Sequence, residues 1–231
     1  MSKKTKTTSI AVSNDILKTE NRQMAVAKGL LETGSDNWLQ VKKSSNSAII
    51  SIPKYCRVSN VSFSGTGTNK REVFTIVDWP YVNEVCSVAA LPDSRSRFGN
   101  VDYNVGSIVT YDHKAKTLTV NPGGITVKAG IDPNNPMSNG EYLLRLPDAP
   151  HIYGRPYLDR TSFALTWFFI EDTDHLDRYL HTGSVSEGCV TVGLNGGEAD
   201  FVKWTDIAKI LSTQRLASNN AFVGKLVVKG Y

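Results

Sequence analysis

The chain has 231 residues, 40% of them hydrophobic and 21% charged, with a formal net charge of +4. That is enough for one large domain or two small ones with a proper core, and it excludes a disordered or fibrous chain. No run approaches the roughly 18 apolar residues that a membrane-spanning helix needs. Lys3, Lys4 and Lys6 supply much of the positive excess, which reads as solubility or as weak attraction to an anionic polymer. No basic patch is interleaved with aromatics, so nucleic acid is not an expected partner. The apolar residues 10–12 are too short for a signal-peptide core. The chain is therefore expected to be made in the cytoplasm and, if it works outside, to leave by a route other than ordinary signal-directed export.

Residues 1–12 read as a tail. Residues 14–32 carry good helix formers, with Ile16, Leu17, Met24, Ala27, Leu30 and Leu31 in rough helical register, and predict a helical arm that Gly34, Ser35 and Asp36 break. From residue 48 the texture changes to short β-branched runs over 48–52, 57–63, 72–77 and 82–91, bounded by Pro53 and by a Gly65-Thr66-Gly67 turn. The polar, glycine-containing stretch 92–106 is the expected boundary. It leaves residues 1–104 as tail, helical arm and small β region, and residues 105–231 as a second domain. There, 107–111 and 117–120 flank a turn at Asp112-His113-Lys114 and predict a hairpin. Strands are expected at 125–128, 141–146, 162–170 and 224–228, with an irregular aromatic-bearing loop over 147–160. Trp204, Ile207, Ala208, Leu211 and Arg215 recur at helical spacing and predict a helix over 204–217. The expected class is mainly β with one packed helix.

Three cysteines, Cys56, Cys86 and Cys189, argue against a disulfide framework. Cys56 and Cys86 either pair or serve as small buried hydrophobes, which leaves Cys189. His181 stands eight residues before it, across a Gly/Ser loop, and both are flanked by strand-type residues. That pattern places an imidazole beside a thiol at the mouth of a sheet, and a thiol becomes a good nucleophile when a neighbour takes its proton. Gly188 lets the backbone approach a substrate carbonyl, and the N–H groups of Gly188 and Cys189 could form an oxyanion hole. Ser184 and Ser186 leave room for a ligand. The bland alternative is an inert buried cysteine with a structural histidine. His175, His181, Asp172, Asp174 and Cys189 could be drawn as a zinc set, but no pair has ligand spacing, so no metal is expected. The loop from His151 to Tyr157 lines a saccharide or peptide groove or packs as a surface loop.

Ser186-Glu187-Gly188-Cys189-Val190, preceded by Leu180-His181, resembles the signature of the L,D-transpeptidase catalytic domain: a histidine, a variable loop, then Ser-x-Gly-Cys and an aliphatic residue. The short spacing resembles the compact branch that includes cell-wall toxins delivered between bacteria. Residues 111–120, 136–142, 178–181, 204–207 and 224–228 are similar to the family's strand pair, Pro-x-Gly-x-Tyr segment, Arg-x-x-x-His strand, helix and last strand, so the resemblance covers about residues 105–231. It implies an L,D-transpeptidase-like β-sandwich or barrel. It also implies that Cys189 attacks a peptidoglycan stem peptide to form a thioester, that His181 moves the proton, and that the Thr182 carbonyl orients the imidazole. No cofactor is implied. The implied partners are stem peptides in the periplasm or wall, with secretion machinery or an immunity protein beside them if the chain is a delivered effector. The family often has His-Gly-Cys where this chain has Glu187-Gly188-Cys189, and commonly Arg two residues after the cysteine where this chain has Thr191. Arg155, Arg160 and Arg178 are available by charge to hold a substrate carboxylate, and Tyr153 by its place in the aromatic loop. Two alternatives stay open: a catalytically inactive module that keeps the fold for binding or structure, and a cysteine protease acting on ordinary peptides.

Overall fold

The computed structural model describes residues 23–175, 177–194 and 196–231. Its architecture follows from which alternating runs find partners. Strands β2 (Trp38–Lys43), β3 (Ile49–Pro53), β4 (Val58–Ser64), β5 (Arg71–Ile76) and β6 (Val85–Ala89) form one antiparallel sheet in the order β3-β2-β6-β5-β4. In β5 every second side chain, Glu72, Phe74 and Ile76, is buried, the period-two signature of a sheet with one covered face. Val41, Ile52, Phe74, Ile76, Cys86 and Val88 build that core. Cys56 and Cys86 are both buried in it and both free.

Beside it, β1 (Gln23–Leu30) pairs antiparallel with β7 (Phe98–Val105), and the short β15 (Gln214–Arg215) pairs parallel with β7. Both long strands correct the sequence reading. Residues 23–30 are strand rather than helical arm, and residues 14–22 lie outside the described residues. Helix propensity is a weak preference. Here it is overridden by a ladder running to Leu30↔Phe98, with Leu30 fully buried in the first core. β7 lies inside the stretch read as a polar boundary: its glycine, asparagines and aspartate hide the buried residues Phe98, Val101 and Tyr103.

The rest closes on itself. β8 (Ser107–Asp112), β9 (Thr117–Asn121), β10 (Ile125–Gly130), β11 (Gly140–Arg145), β12 (Phe168–Glu171), β13 (Tyr179–Thr182), β14 (Val190–Val192) and β16 (Phe222–Lys229) form a barrel in the order β10-β14-β13-β12-β11-β16-β8-β9. The protein is thus mainly β, with one packed helix, α1 (Glu198–Ser212). The Asp200 carboxylate accepts the Gly197 N–H at the start of α1, and Trp204, Ile207, Ala208 and Leu211 join the barrel's core. The helix begins earlier than its periodicity suggests and ends before Arg215, which is fully buried on β15 instead. The expected strand over 162–170 also shortens to β12. Residues 162–165 form a turn, buried at Phe163, Ala164 and Leu165, and Trp204 Nε1 donates to the Phe163 carbonyl at 3.0 Å.

One ionic cluster ties the parts together. Asp78, which follows β5, accepts from Arg57 Nε at 2.7 Å and from Arg215 Nη2 at 2.6 Å. All three side chains are at least nine-tenths buried. Burial alone would raise the Asp78 carboxyl, but the two guanidiniums win and hold it below the usual carboxylate range.

Candidate active site

β13 and β14 are consecutive strands, yet they run parallel, with Leu180↔Val190, His181↔Thr191 and Thr182↔Val192 in register. Parallel neighbours normally need a crossover of a dozen or more residues. Here only residues 183–189 connect them. These seven residues reach about 25 Å when extended, against about 10 Å of return along a three-residue strand, so the short path is feasible. The loop closes through Gly188, whose φ of +107° lies in the region that favours glycine. Ser186 Oγ donates to the Cys189 carbonyl at 2.7 Å, bracing the turn. The consequence is positional: Cys189 enters β14 beside Tyr179, and His181 lies one pleat further on.

His181 is 5% exposed. Its Nδ1 lies 2.8 Å from the Thr182 carbonyl oxygen, which can only accept, so Nδ1 carries the proton and Nε2 presents a lone pair. Nε2 lies 3.1 Å from Thr191 Oγ1. By the same logic the Thr191 hydroxyl donates to it. One face of the imidazole stacks on Trp167, with centroids 4.0 Å apart and planes inclined by 20°. His151 also stacks on Trp167, with centroids 4.5 Å apart and planes nearly parallel, and His151 Nε2 meets Asp148 Oδ1 at 3.2 Å. This three-ring stack depends on the turn at 162–165: His151 N–H bonds the Leu165 carbonyl, and Gly154 passes so close to the Ala164 carbonyl that no side chain would fit. Burial lowers the His181 pKa to about 4, so the imidazole is neutral at pH 7.

Cys189 is partly exposed. Burial raises its thiol above the ordinary value, the Tyr179 backbone N–H at 3.4 Å from Sγ pulls it back, and Asp177 and Glu187 add small upward pushes. The resting pair is therefore neutral thiol beside neutral imidazole, not thiolate beside imidazolium. Cys189 and His181 both line a cleft of about 620 Å³ together with His151, Tyr153, Trp167, Tyr179 and the exposed Glu187, a volume typical of small-ligand sites. A second cleft of about 530 Å³ lies across the 183–188 loop, with Val185 on both walls.

Of the residues singled out in sequence, Cys189, His181, Thr182 and Tyr153 reach the first cleft, and Ser186 lines the second. Arg155 is exposed on the 152–157 turn and does not line either cleft. Arg178 differs most from its expected use. It is 1% exposed and points into the protein, donating to the Gly188 carbonyl at 3.1 Å, Asn135 Oδ1 at 2.7 Å and the Pro136 carbonyl at 3.3 Å. Asp172 Oδ2 lies 3.4 Å from its Nε. Its guanidinium ties the Gly188 carbonyl to Asn135 and Pro136, so Arg178 sits here as a buried strut of the cysteine loop. Asp172 and His175 pair with each other at 3.3 Å, and among the described residues no three His, Cys, Asp or Glu side chains are grouped as a metal would require.

Sequence reasoning missed Thr191 as a partner of His181, and Trp167 and Asp148 altogether; His151 reads there only as the start of a loop that lines a groove or packs on the surface, and it lines the cleft. Thr191 was legible only as a departure from a motif. Its role needs the parallel register of β13 and β14, which a seven-residue loop does not advertise.

No protein-family model matches the chain, and no curated protein matches it. Among solved structures the chain is similar to L,D-transpeptidase 1 of Mycobacterium tuberculosis, with a TM-score of 0.35 and 15% identity over 76% of this chain and 99% of that one. It is also similar to an L,D-transpeptidase from Mycobacterium tuberculosis H37Rv, with a TM-score of 0.33 and 10% identity over 73% of this chain and 76% of that one.

Proposed function

We propose that the protein is a cysteine acyl-transfer enzyme acting on peptidoglycan stem peptides. The observation that carries the reading is the cleft that Cys189 shares with His181, whose tautomer the Thr182 carbonyl fixes. The motif at 186–190 and the chain order around it supply the substrate class. In this reading Cys189 Sγ attacks the carbonyl between an L-centre and a D-residue while its proton passes to His181 Nε2. The C–N bond then breaks, the same proton leaves on the departing amine, and a thioester remains. In the same reading the N–H groups of Gly188 and Cys189 serve as the oxyanion donors. Water, a second stem peptide or a free D-amino acid resolves the thioester, giving carboxypeptidase, cross-linking or exchange activity.

The neutral resting pair suits a site that is activated by its substrate. Displacing water and placing a carbonyl against Sγ lets proton transfer and attack occur together, so no standing thiolate is needed.

The test is mass spectrometry of tetrapeptide muropeptides incubated with the protein, beside Cys189→Ala, with and without added D-amino acid. Loss or replacement of the terminal D-residue only with Cys189 intact supports the reading and names the acceptor. No change with folded protein refutes it and favours a second reading, an inactive module that keeps the fold. The occupied Nε2 and the raised thiol favour that alternative. The compact spacing of His181 and Cys189 suggests the finer role of an antibacterial effector. That role requires growth arrest when the protein is directed to the periplasm of a test bacterium, none when it is held in the cytoplasm, and none with Cys189→Ala.

A further inference from the structure

The geometry points to Thr191 as a positioning residue that occupies the His181 lone pair in the resting site, so that the base reaches Cys189 only after the Thr191 hydroxyl turns away. The inference rests on the proposed roles of Cys189 and His181 and names how that site is held off.

Three observations carry it. The Thr191 hydroxyl is 3.1 Å from Nε2, and the Nδ1 bond to the Thr182 carbonyl leaves Nε2 as the acceptor. A neutral imidazole has one such lone pair, and a thiol can surrender its proton only to that electron pair. The imidazole itself is fixed. Trp167 lies parallel on one face, and pivoting in its own plane would break the 2.8 Å bond at Nδ1. The movable partner is therefore Thr191. It is wholly buried on a three-residue strand, where a β-branched side chain has few χ1 choices. Cys189, which lines the cleft, immediately precedes that strand and lies two residues before Thr191.

Other titratable groups do not replace Thr191 at Nε2. His151 stacks on Trp167, and its Nε2 is engaged by Asp148. Tyr157 is hydrogen-bonded to Ser184. Asp177 and Glu187 line the cleft from the ends of β13 and β14, and the Tyr179 backbone N–H faces Cys189 Sγ.

The experiment follows iodoacetamide alkylation of Cys189 from pH 5 to 9 in the full chain with Cys56 and Cys86 buried, and compares wild type with Thr191→Val and Thr191→Ser. Valine keeps shape and burial but has no hydroxyl. The lone pair it frees should raise the neutral-pH rate roughly three- to tenfold, the factor that one buried hydrogen bond commands. Serine should restore the wild-type profile, and His181→Gln in the Thr191→Val background should abolish the gain. An unchanged rate in Thr191→Val overturns the inference, and a fall overturns it in favour of a hydroxyl that relays the proton. If valine prevents folding, the ¹⁵N spectrum of His181 in the intact protein decides the matter, since a free, non-hydrogen-bonded Nε2 would refute the resting contact. Alkylation needs no stem peptide, so a failed muropeptide assay leaves this test standing. Turnover of muropeptides with identical alkylation of Thr191→Val and wild type would remove this inference alone.

Discussion

Replacing Arg178 by methionine separates a strut from a substrate contact. The guanidinium makes three hydrogen bonds, to Gly188, Asn135 and Pro136, and lies within ion-pair distance of Asp172. Methionine fills much of the space but makes none of these. It leaves the Gly188 carbonyl without its donor and the Asp172 carboxylate, 9% exposed, with only His175 beside it. A hydrogen bond to a charged group is worth about 1.5–3 kcal/mol, and breaking a buried pair costs about 3–5 kcal/mol in all. For a chain of this size that is a fall in Tm of roughly 6–20 °C, at about 2–4 °C per kcal/mol. Equilibrium unfolding in urea should show the loss as a shifted midpoint at unchanged slope. If the proposed activity holds, the residual folded protein should lose kcat in the wall assay through a displaced Cys189 loop while KM changes little. The reasoning is refuted if Arg178→Met stays within about 1 kcal/mol of wild type and instead raises KM, because the side chain would then be touching substrate.

Three further outcomes are expected. His181 has a folded pKa of about 4 against an ordinary 6.5, so its burial stabilises the protein above pH 6.5 and that contribution fades as pH falls toward 4. At about 1.4 kcal/mol per pH unit the loss reaches roughly 3 kcal/mol, and His181→Gln should flatten urea-unfolding stability across that window. Asp78→Asn leaves Arg57 and Arg215 buried without a counter-charge and should cost about 3–5 kcal/mol at neutral pH. Because the folded Asp78 carboxyl titrates below its unfolded value, wild type should converge on the mutant as pH drops below about 4, and a constant gap down to pH 2 would contradict this. Alkylation of Cys189 in the resting protein should climb about tenfold per pH unit between 7 and 9, as expected of a thiol that burial has raised; a plateau near neutrality would show a thiolate held by an imidazolium.

The sequence displays many strands of the barrel and of the five-stranded sheet well, and the β1–β7 pair poorly. Strands such as β5 and β8 alternate buried and partly buried residues along their length, and that period survives in the sequence whatever they pack against. β1 and β7 lack it: their burial is set by each other and by β15, more than a hundred residues away, and their composition of Ala, Lys, Gly, Asn and Asp is neutral or adverse to strands. The turn at 162–165 looks like strand because it is apolar, and apolar runs do not distinguish a strand from a buried turn. At the candidate site the adjacency of Cys189 and His181 was legible because one loop joins them. The stack of His151, Trp167 and His181 was not, since it joins three separate segments through ring geometry alone.

The cluster of Asp78, Arg57 and Arg215 sets a limit on modularity. The boundary expected at 92–106 invites treating the barrel as a portable cassette that could be cut out or fused elsewhere. A chain trimmed there would discard Asp78 and keep Arg215, inheriting a cation in its interior with its counter-ion gone. It would also lose β7, the partner of β15. The apparent accessory half is thus the electrostatic complement of the half that carries the cysteine, and the two are expected to be inherited, exchanged and expressed only together.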